Sequence, residues 1–224
     1  MPLLELLFPS RCAACGEPGP ELCSRCRELL PRLLGSLCAR CGTPTAWPVA
    51  RCLECVGRRI AFAQARSALS YSGAVPRLIG AWKEHGQRNL AAIAAELVAE
   101  VIPRPRVKAI TFVPAQRERS LSRGFHPAGA LAAELALIWE LPLQRLLERV
   151  GSPRRQRGLA LSERSKNVEC AFRARRGAKP PGSVCIVDDV YTSGATASVC
   201  AGALRKAGSR YVEVVALARA VRER

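Results

Sequence analysis

The thirteen residues Val184 to Thr196, VCIVDDVYTSGAT, constrain the fold more than any other part of this 224-residue chain. Four apolar residues lead into two carboxylates, then into a short run of hydroxyl-bearing and small residues, then into a helical pattern. An unbroken apolar run of this kind marks a strand buried on both faces of a parallel sheet. The strand is expected to end at Val187. That places Asp188, Asp189 and the following turn at its carboxyl end, where open α/β sheets bind ligands. Asp188 and Asp189 are the only aspartates in the chain.

The surrounding pattern extends this reading. Strands are expected near Ala65–Tyr71, Val107–Pro114 and Tyr211–Ala218, with a further short one near Leu141–Leu147. Helical spacing covers Val75–Lys83, Leu90–Ile102, Ala128–Trp139 and Ala195–Lys206, the last closed by Gly208. Strands alternating with helices predict an α/β fold with a doubly wound, mainly parallel sheet. The stretch 149–179, rich in Arg, Gly, Pro and Ser, reads as one long mobile loop with a helical turn near 161–166.

The chemistry of the turn is specific. At Thr192, Ser193, Gly194, Ala195 and Thr196, successive backbone N–H groups, a helix N-terminus and three hydroxyls converge, which makes a cradle for a monophosphate. Neither GxxxxGK[ST] nor GxGxxG occurs in the chain. The two aspartates just before the cradle can accept hydrogen bonds from vicinal hydroxyls. A phosphate on one side and a diol on the other describe a ribose 5-phosphate. Adjacent carboxylates repel, so a cation or a donor-rich ligand is needed to offset them.

The first 60 residues are different in kind. Eight of the eleven cysteines form four Cys-x-x-Cys pairs, Cys12/Cys15, Cys23/Cys26, Cys38/Cys41 and Cys52/Cys55. Two such pairs complete a tetrahedral metal site. The order suggests two consecutive ribbons, each opening with CxxCG: Cys12, Cys15, Cys23 and Cys26 on one zinc, and Cys38, Cys41, Cys52 and Cys55 on a second. An interleaved cross-brace uses the same ligands, and spacing alone leaves it open. Closed four-sulfur sites are structural rather than catalytic. Disulfides are disfavoured by the short spacings and by the lack of a secretion signal at the start of the sequence. The chain is therefore expected to divide into a small double zinc ribbon, 1–60, and an α/β domain, 61–224. Cys185 and Cys200 read as small core residues.

The formal net charge is +17, of which residues 61–224 carry +14. Such an excess suits a polyanionic partner, a phosphate-rich ligand or nucleic acid, against the plainer reading of an arginine-rich solvated surface. No apolar run reaches the roughly 20 residues of a membrane span. A cytoplasmic location is expected.

The ordered motifs resemble one family. VCIVDDVYTSGAT is similar to the 5-phosphoribosyl pyrophosphate (PRPP) signature of type I phosphoribosyltransferases, and the wider pattern resembles the ComF (competence protein F) family. The match includes the CxxCG pairs, Tyr71 and Gly73 ahead of Trp82-Lys83, Arg117, Arg123-Gly124-Phe125, Gln156 and Leu159, Arg164 with Asn167-Val168, Ala171-Phe172 and the signature itself. The resemblance implies a type I phosphoribosyltransferase-like fold behind the ribbons. In it Asp188 and Asp189 hold the ribose hydroxyls, and Thr192 to Thr196 hold the 5-phosphate. Arg123 sits on the pyrophosphate side, Arg164 and Asn167 lie in a closing loop, and Mg²⁺ accompanies the pyrophosphate. His126-Pro127 departs from the Asn-Gln common at that place, and Ser193 replaces a threonine. The implied role is DNA uptake in natural transformation, through single-stranded DNA and a partner competence helicase. The alternative is an active phosphoribosyltransferase of nucleotide metabolism, with Arg123 and Arg164 as its catalytic residues.

Overall fold

The computed structural model describes residues 10–84, 87, 89–115, 125–150 and 171–221. A short helix α1 (Ser24–Glu28) lies in the cysteine-rich segment. There follow β1 (Gln64–Ser70), α2 (Val75–Glu84), α3 (Leu90–Val101), β2 (Ala109–Phe112) and α4 (Pro127–Ile138). The chain continues through β3 (Leu147–Arg149), β4 (Phe172–Ala174), β5 (Ser183–Tyr191), α5 (Ala195–Lys206) and β6 (Tyr211–Arg219). Strands β1, β6, β5 and β2 form one sheet in that order, and every pairing in it is parallel.

Burial on both faces explains the apolar strands. Val184 to Val187 and Val212, Val214 to Ala218 are almost wholly shielded from solvent. Helices α3 and α4 pack on one face of the sheet and α5 on the other. Ala91, Ala94 and Ala95 keep the buried side of α3 thin, so the helix lies close to the sheet. The expected doubly wound parallel arrangement is therefore the one observed.

Two departures have clear causes. Strand β5 does not stop at Val187 but runs on to Tyr191, because β6 continues to pair with it as far as Arg219. The neighbour on the other side, β2, ends opposite Val187. Asp188 and Asp189 are thus strand residues standing where β5 has outrun β2. The segment expected as a strand over 141–147 instead contributes one parallel bridge, Leu143 to Ile110, beside β2. Pro142 has no N–H with which to extend that ladder. The true strand starts at Leu147 and pairs antiparallel with β4. The basic stretch is consequently not one loop over 149–179, since Phe172–Ala174 is a strand. Residues 151–170 lie outside the described residues.

Both edges of the sheet are covered, which removes the unpaired ladder that invites aggregation. Along β1 the covering is the chain from Pro31 into the second cysteine group: Leu33 N–H donates to Ala68 O, Ser70 N–H to Pro31 O and Ala65 N–H to Arg40 O, all within 2.9 Å. Along β2 it is 142–144, with Ile110 N–H to Pro142 O and Gln144 N–H to Ile110 O. The cysteine-rich segment is therefore joined to the sheet along its whole first strand.

His126 is the N-cap of α4. Its Nδ1 accepts from Gly129 N–H at 2.9 Å, with Pro127 in the first turn where a missing N–H costs nothing. Its Nε2 faces Ala115 N–H at 2.6 Å. Burial lowers the pKa of the ring below the ordinary 6.5, and the Gly129 N–H favours a tautomer whose Nδ1 is unprotonated. Unfolding then takes up a proton as the pH falls through that value, so stability is full above it and declines below it. Melting temperature is expected to drop from pH 7.5 to 5.5 more steeply in the wild type than in His126→Asn, whose side chain can still cap. Equal slopes would show that the ring does not carry this dependence.

Candidate phosphoribosyl clasp and its cysteine-rich support

Asp188 and Asp189 occupy the carboxyl end of β5. Asp189 Oδ2 lies 2.7 Å from Lys83 Nζ, at the end of α2. Asp188 Oδ1 accepts from the backbone N–H of Asp189 at 2.9 Å. Burial, with the neighbouring Asp189 charge adding to it, pushes Asp188 well above the usual carboxylate range. Lys83 and the Asp189 amide act in the opposite direction. One carboxylate of the pair is thus held by a cation, and the other is poised for a donor. Hydroxyl groups of a bound sugar supply such donors.

Three residues further on the chain turns. Gly194 has φ 73° and ψ 6°, a left-handed conformation, and it caps α5 with no side-chain hydrogen bond. Ser193 Oγ lies a loose 3.4 Å from the N–H of Ala195. The amino end of a twelve-residue helix is therefore open beside the two aspartates, with Thr192, Ser193 and Ala195 exposed around it. Backbone N–H groups of a first helical turn, together with the helix dipole, favour a phosphate.

The turn is packed from behind by one side chain. A Cβ on Gly194 would collide with the Tyr191 ring, approaching its Cζ to 2.6 Å. Tyr191 lies edge-on to Phe62, with ring centroids 6.3 Å apart, and under the guanidinium of Arg219 at 4.8 Å. Arg219, only 1% exposed, is anchored in the second cysteine group. It donates to Cys41 O at 2.8 Å, to Glu54 Oε2 at 2.8 Å and to Cys41 Sγ at 3.6 Å. From the same group, Arg58 Nη2 reaches Ser193 O at 2.8 Å, and just beyond it Ala61 N–H reaches Ser198 Oγ at 3.0 Å. The cysteine-rich segment is thus the floor on which the turn rests.

The eight cysteines come together as two consecutive groups of four rather than a cross-brace. In each group the sulfurs all lie within 4.8 Å of one another. Tetrahedral zinc with bonds near 2.3 Å sets sulfurs about 3.8 Å apart. Cys15 and Cys23 are 4.0 Å apart, and Cys41 and Cys52 are 3.6 Å apart. Backbone N–H groups point at the sulfurs: Cys23 N–H at Cys12 and Cys52 N–H at Cys38. Burial opposes ionisation of these thiols, but the N–H donors outweigh it and bring Cys12 to about 6 and Cys38 to about 7. Both groups fit a structural zinc ion. The first packs toward α3, where Arg27 pairs with Glu96 and Glu100, and Arg32 with Glu100.

Of the residues singled out in the sequence, Asp188, Asp189 and Thr192 to Thr196 converge, and the cysteines form the two groups. Arg123 and Arg164, with Arg117 and Asn167, lie outside the described residues, as does Cys170. Cys185 and Cys200 are buried among apolar neighbours. Lys83 and Arg219 were not assigned roles by sequence. Lys83 had a signal in its place beside Trp82, whereas Arg219 had none beyond a charge closing an apolar strand.

The chain is similar to several known proteins. Residues 3–56 match the double zinc ribbon domain family. Competence protein F of Haemophilus influenzae is 34% identical over 116 residues, covering 50% of this chain and 51% of that protein. Competence protein ComFC of Streptococcus pneumoniae is 25% identical over 154 residues, 69% of this chain and 67% of that one. The chain thus matches about half the length of the first of these relatives. Among solved structures, orotate phosphoribosyltransferase from Aeropyrum pernix is similar at 23% identity and a TM-score of 0.33, covering 67% of each chain. Glutamine PRPP amidotransferase from B. subtilis is similar at 21% identity and a TM-score of 0.38, covering 58% of this chain and 26% of that one.

Proposed function

We infer that this chain, a homologue of competence protein F and of ComFC with a double zinc ribbon at its start, binds PRPP and serves DNA uptake. The observation that carries the reading is the open amino end of α5 next to an aspartate pair that is half neutralised by Lys83. In this reading Asp188 and Asp189 take the ribose hydroxyls and the Thr192–Thr196 turn takes the 5-phosphate. Arg123 and Arg164 would face the pyrophosphate, with Mg²⁺ neutralising part of its charge. Each cysteine group would hold one zinc, whose role is to fold the ribbon that supports the turn.

The net charge of +17 supports single-stranded DNA as the macromolecular partner, with a competence helicase as the protein it works beside. The same clasp also supports glycosyl transfer, because neutralising a leaving pyrophosphate is what an oxocarbenium-like ribose needs. Pyrophosphate release across a panel of bases and amines separates transferase from binding protein. Single-stranded DNA binding is tested by fluorescence anisotropy with a labelled oligonucleotide. Affinity should fall with salt at a slope of about −0.7 per phosphate contacted. No binding at low salt would remove the DNA-handling half of the proposal.

A further inference from the structure

A cavity of about 500 Å³ opens at the end of the sheet opposite the aspartate pair, where β1 and β6 begin. Its volume is that of a small-molecule site. Gln64, Arg66, Ser67, Tyr211 and Glu213 contribute its polar lining, and Ile102 an apolar wall. Arg104 and Arg106, from the segment after α3, stand exposed at its rim.

Glu213 is the anomaly in this cavity. It is 4% exposed, and both of its hydrogen-bonding partners are neutral. Its Oε2 accepts from Gln64 Nε2 at 2.7 Å and from Tyr211 Oη at 3.2 Å, while Oε1 has no partner. Arg66 of the same cavity donates to the Ala39 and Ala65 carbonyls rather than to Glu213, and a buried carboxylate with an unpaired oxygen is costly. With Oε2 held by Gln64 and Tyr211, Oε1 is the acceptor left for a donor entering the cavity. At the rim, Arg104 is held by Trp139 O, whereas Arg106 makes no hydrogen bond or ion pair among the described residues.

We propose that this cavity binds a nucleoside monophosphate whose base carries an exocyclic amino group, with the amino edge on Glu213 and the phosphate beside Arg106. An acceptor at the floor, an apolar wall for a planar ring and free positive charge at the mouth match the three parts of such a ligand. Guanine presents adjacent N1–H and N2–H donors to one carboxylate. Uracil presents a single N–H between two carbonyl oxygens, which a carboxylate repels. The site is independent of the PRPP reading, because it shares no residue with the clasp.

The test is calorimetric titration of the full chain with GMP and with UMP. Both nucleotides carry a ribose 5-phosphate that the clasp would also hold. The titrations are therefore run in the Asp188→Asn/Asp189→Asn variant as well as in the wild type. GMP is expected to bind at least tenfold more tightly than UMP in both. Glu213→Gln should erase that preference. Arg106→Glu, at an exposed position, should weaken GMP by about tenfold with an unchanged melting temperature. Absence of GMP binding overturns the proposal. So does GMP binding that Arg106→Glu leaves untouched, or that disappears when the aspartates are replaced.

Discussion

Replacing Arg219 with alanine is expected to lower the unfolding free energy by about 3–5 kcal/mol, the range for breaking a buried charged pair. Four contacts are lost at once: the donations to Cys41 O and Cys41 Sγ, the pair with Glu54 and the stacking on Tyr191. The guanidinium is 1% exposed, so water cannot replace them. Zinc would strengthen the dependence, since a metal ringed by four thiolates carries net negative charge and Arg219 Nη2 lies 3.6 Å from one of those sulfurs. Lysine should not restore the loss, because a single ammonium cannot serve Cys41 O and Glu54 and also lie flat on a ring. Urea denaturation at fixed zinc concentration measures the effect. A loss below about 1 kcal/mol, the size of an exposed pair, would mean that Arg219 does not tie the ribbon to the sheet.

The second large effect is expected at Gly194. Alanine there meets two penalties, a left-handed backbone that disfavours any Cβ by about 1–2 kcal/mol and a collision with Tyr191. Tyr191 cannot retreat, because Phe62 and Arg219 enclose it. The turn must therefore move, and with it the N–H groups at the start of α5. Gly194→Ala is expected to abolish any PRPP-dependent rise in melting temperature. Gly182→Ala is the control, since a Cβ at that position meets nothing within 4 Å. An unchanged ligand response in Gly194→Ala would show that the turn does not hold the phosphate.

These consequences were unequally visible in the sequence. The string Val184–Thr196 was legible because its information is local. A doubly buried strand reads as a run of apolar residues, and a turn of small and hydroxyl residues reads as a helix start. The cysteine groups were legible for the same reason, each knuckle being four residues long. The end of β5 was not legible, since it is set by a partner strand that begins 20 residues after Tyr191 and extends further than β2. Arg219 was also hidden. It lies 178 residues from the Cys41 carbonyl it holds, and no periodicity connects them. Pairing of β3 with β4 is likewise a non-local fact, so a stretch of basic composition concealed a strand.

The clasp is most directly tested by thermal melting of the wild type and of Asp188→Asn/Asp189→Asn with PRPP and Mg²⁺. A ligand held only by the folded state raises the melting temperature in proportion to the logarithm of its concentration above Kd. The wild type is predicted to show that rise and the double variant, still folded, to show none. A wild-type curve unchanged at saturating PRPP would contradict the phosphoribosyl reading of VCIVDDVYTSGAT.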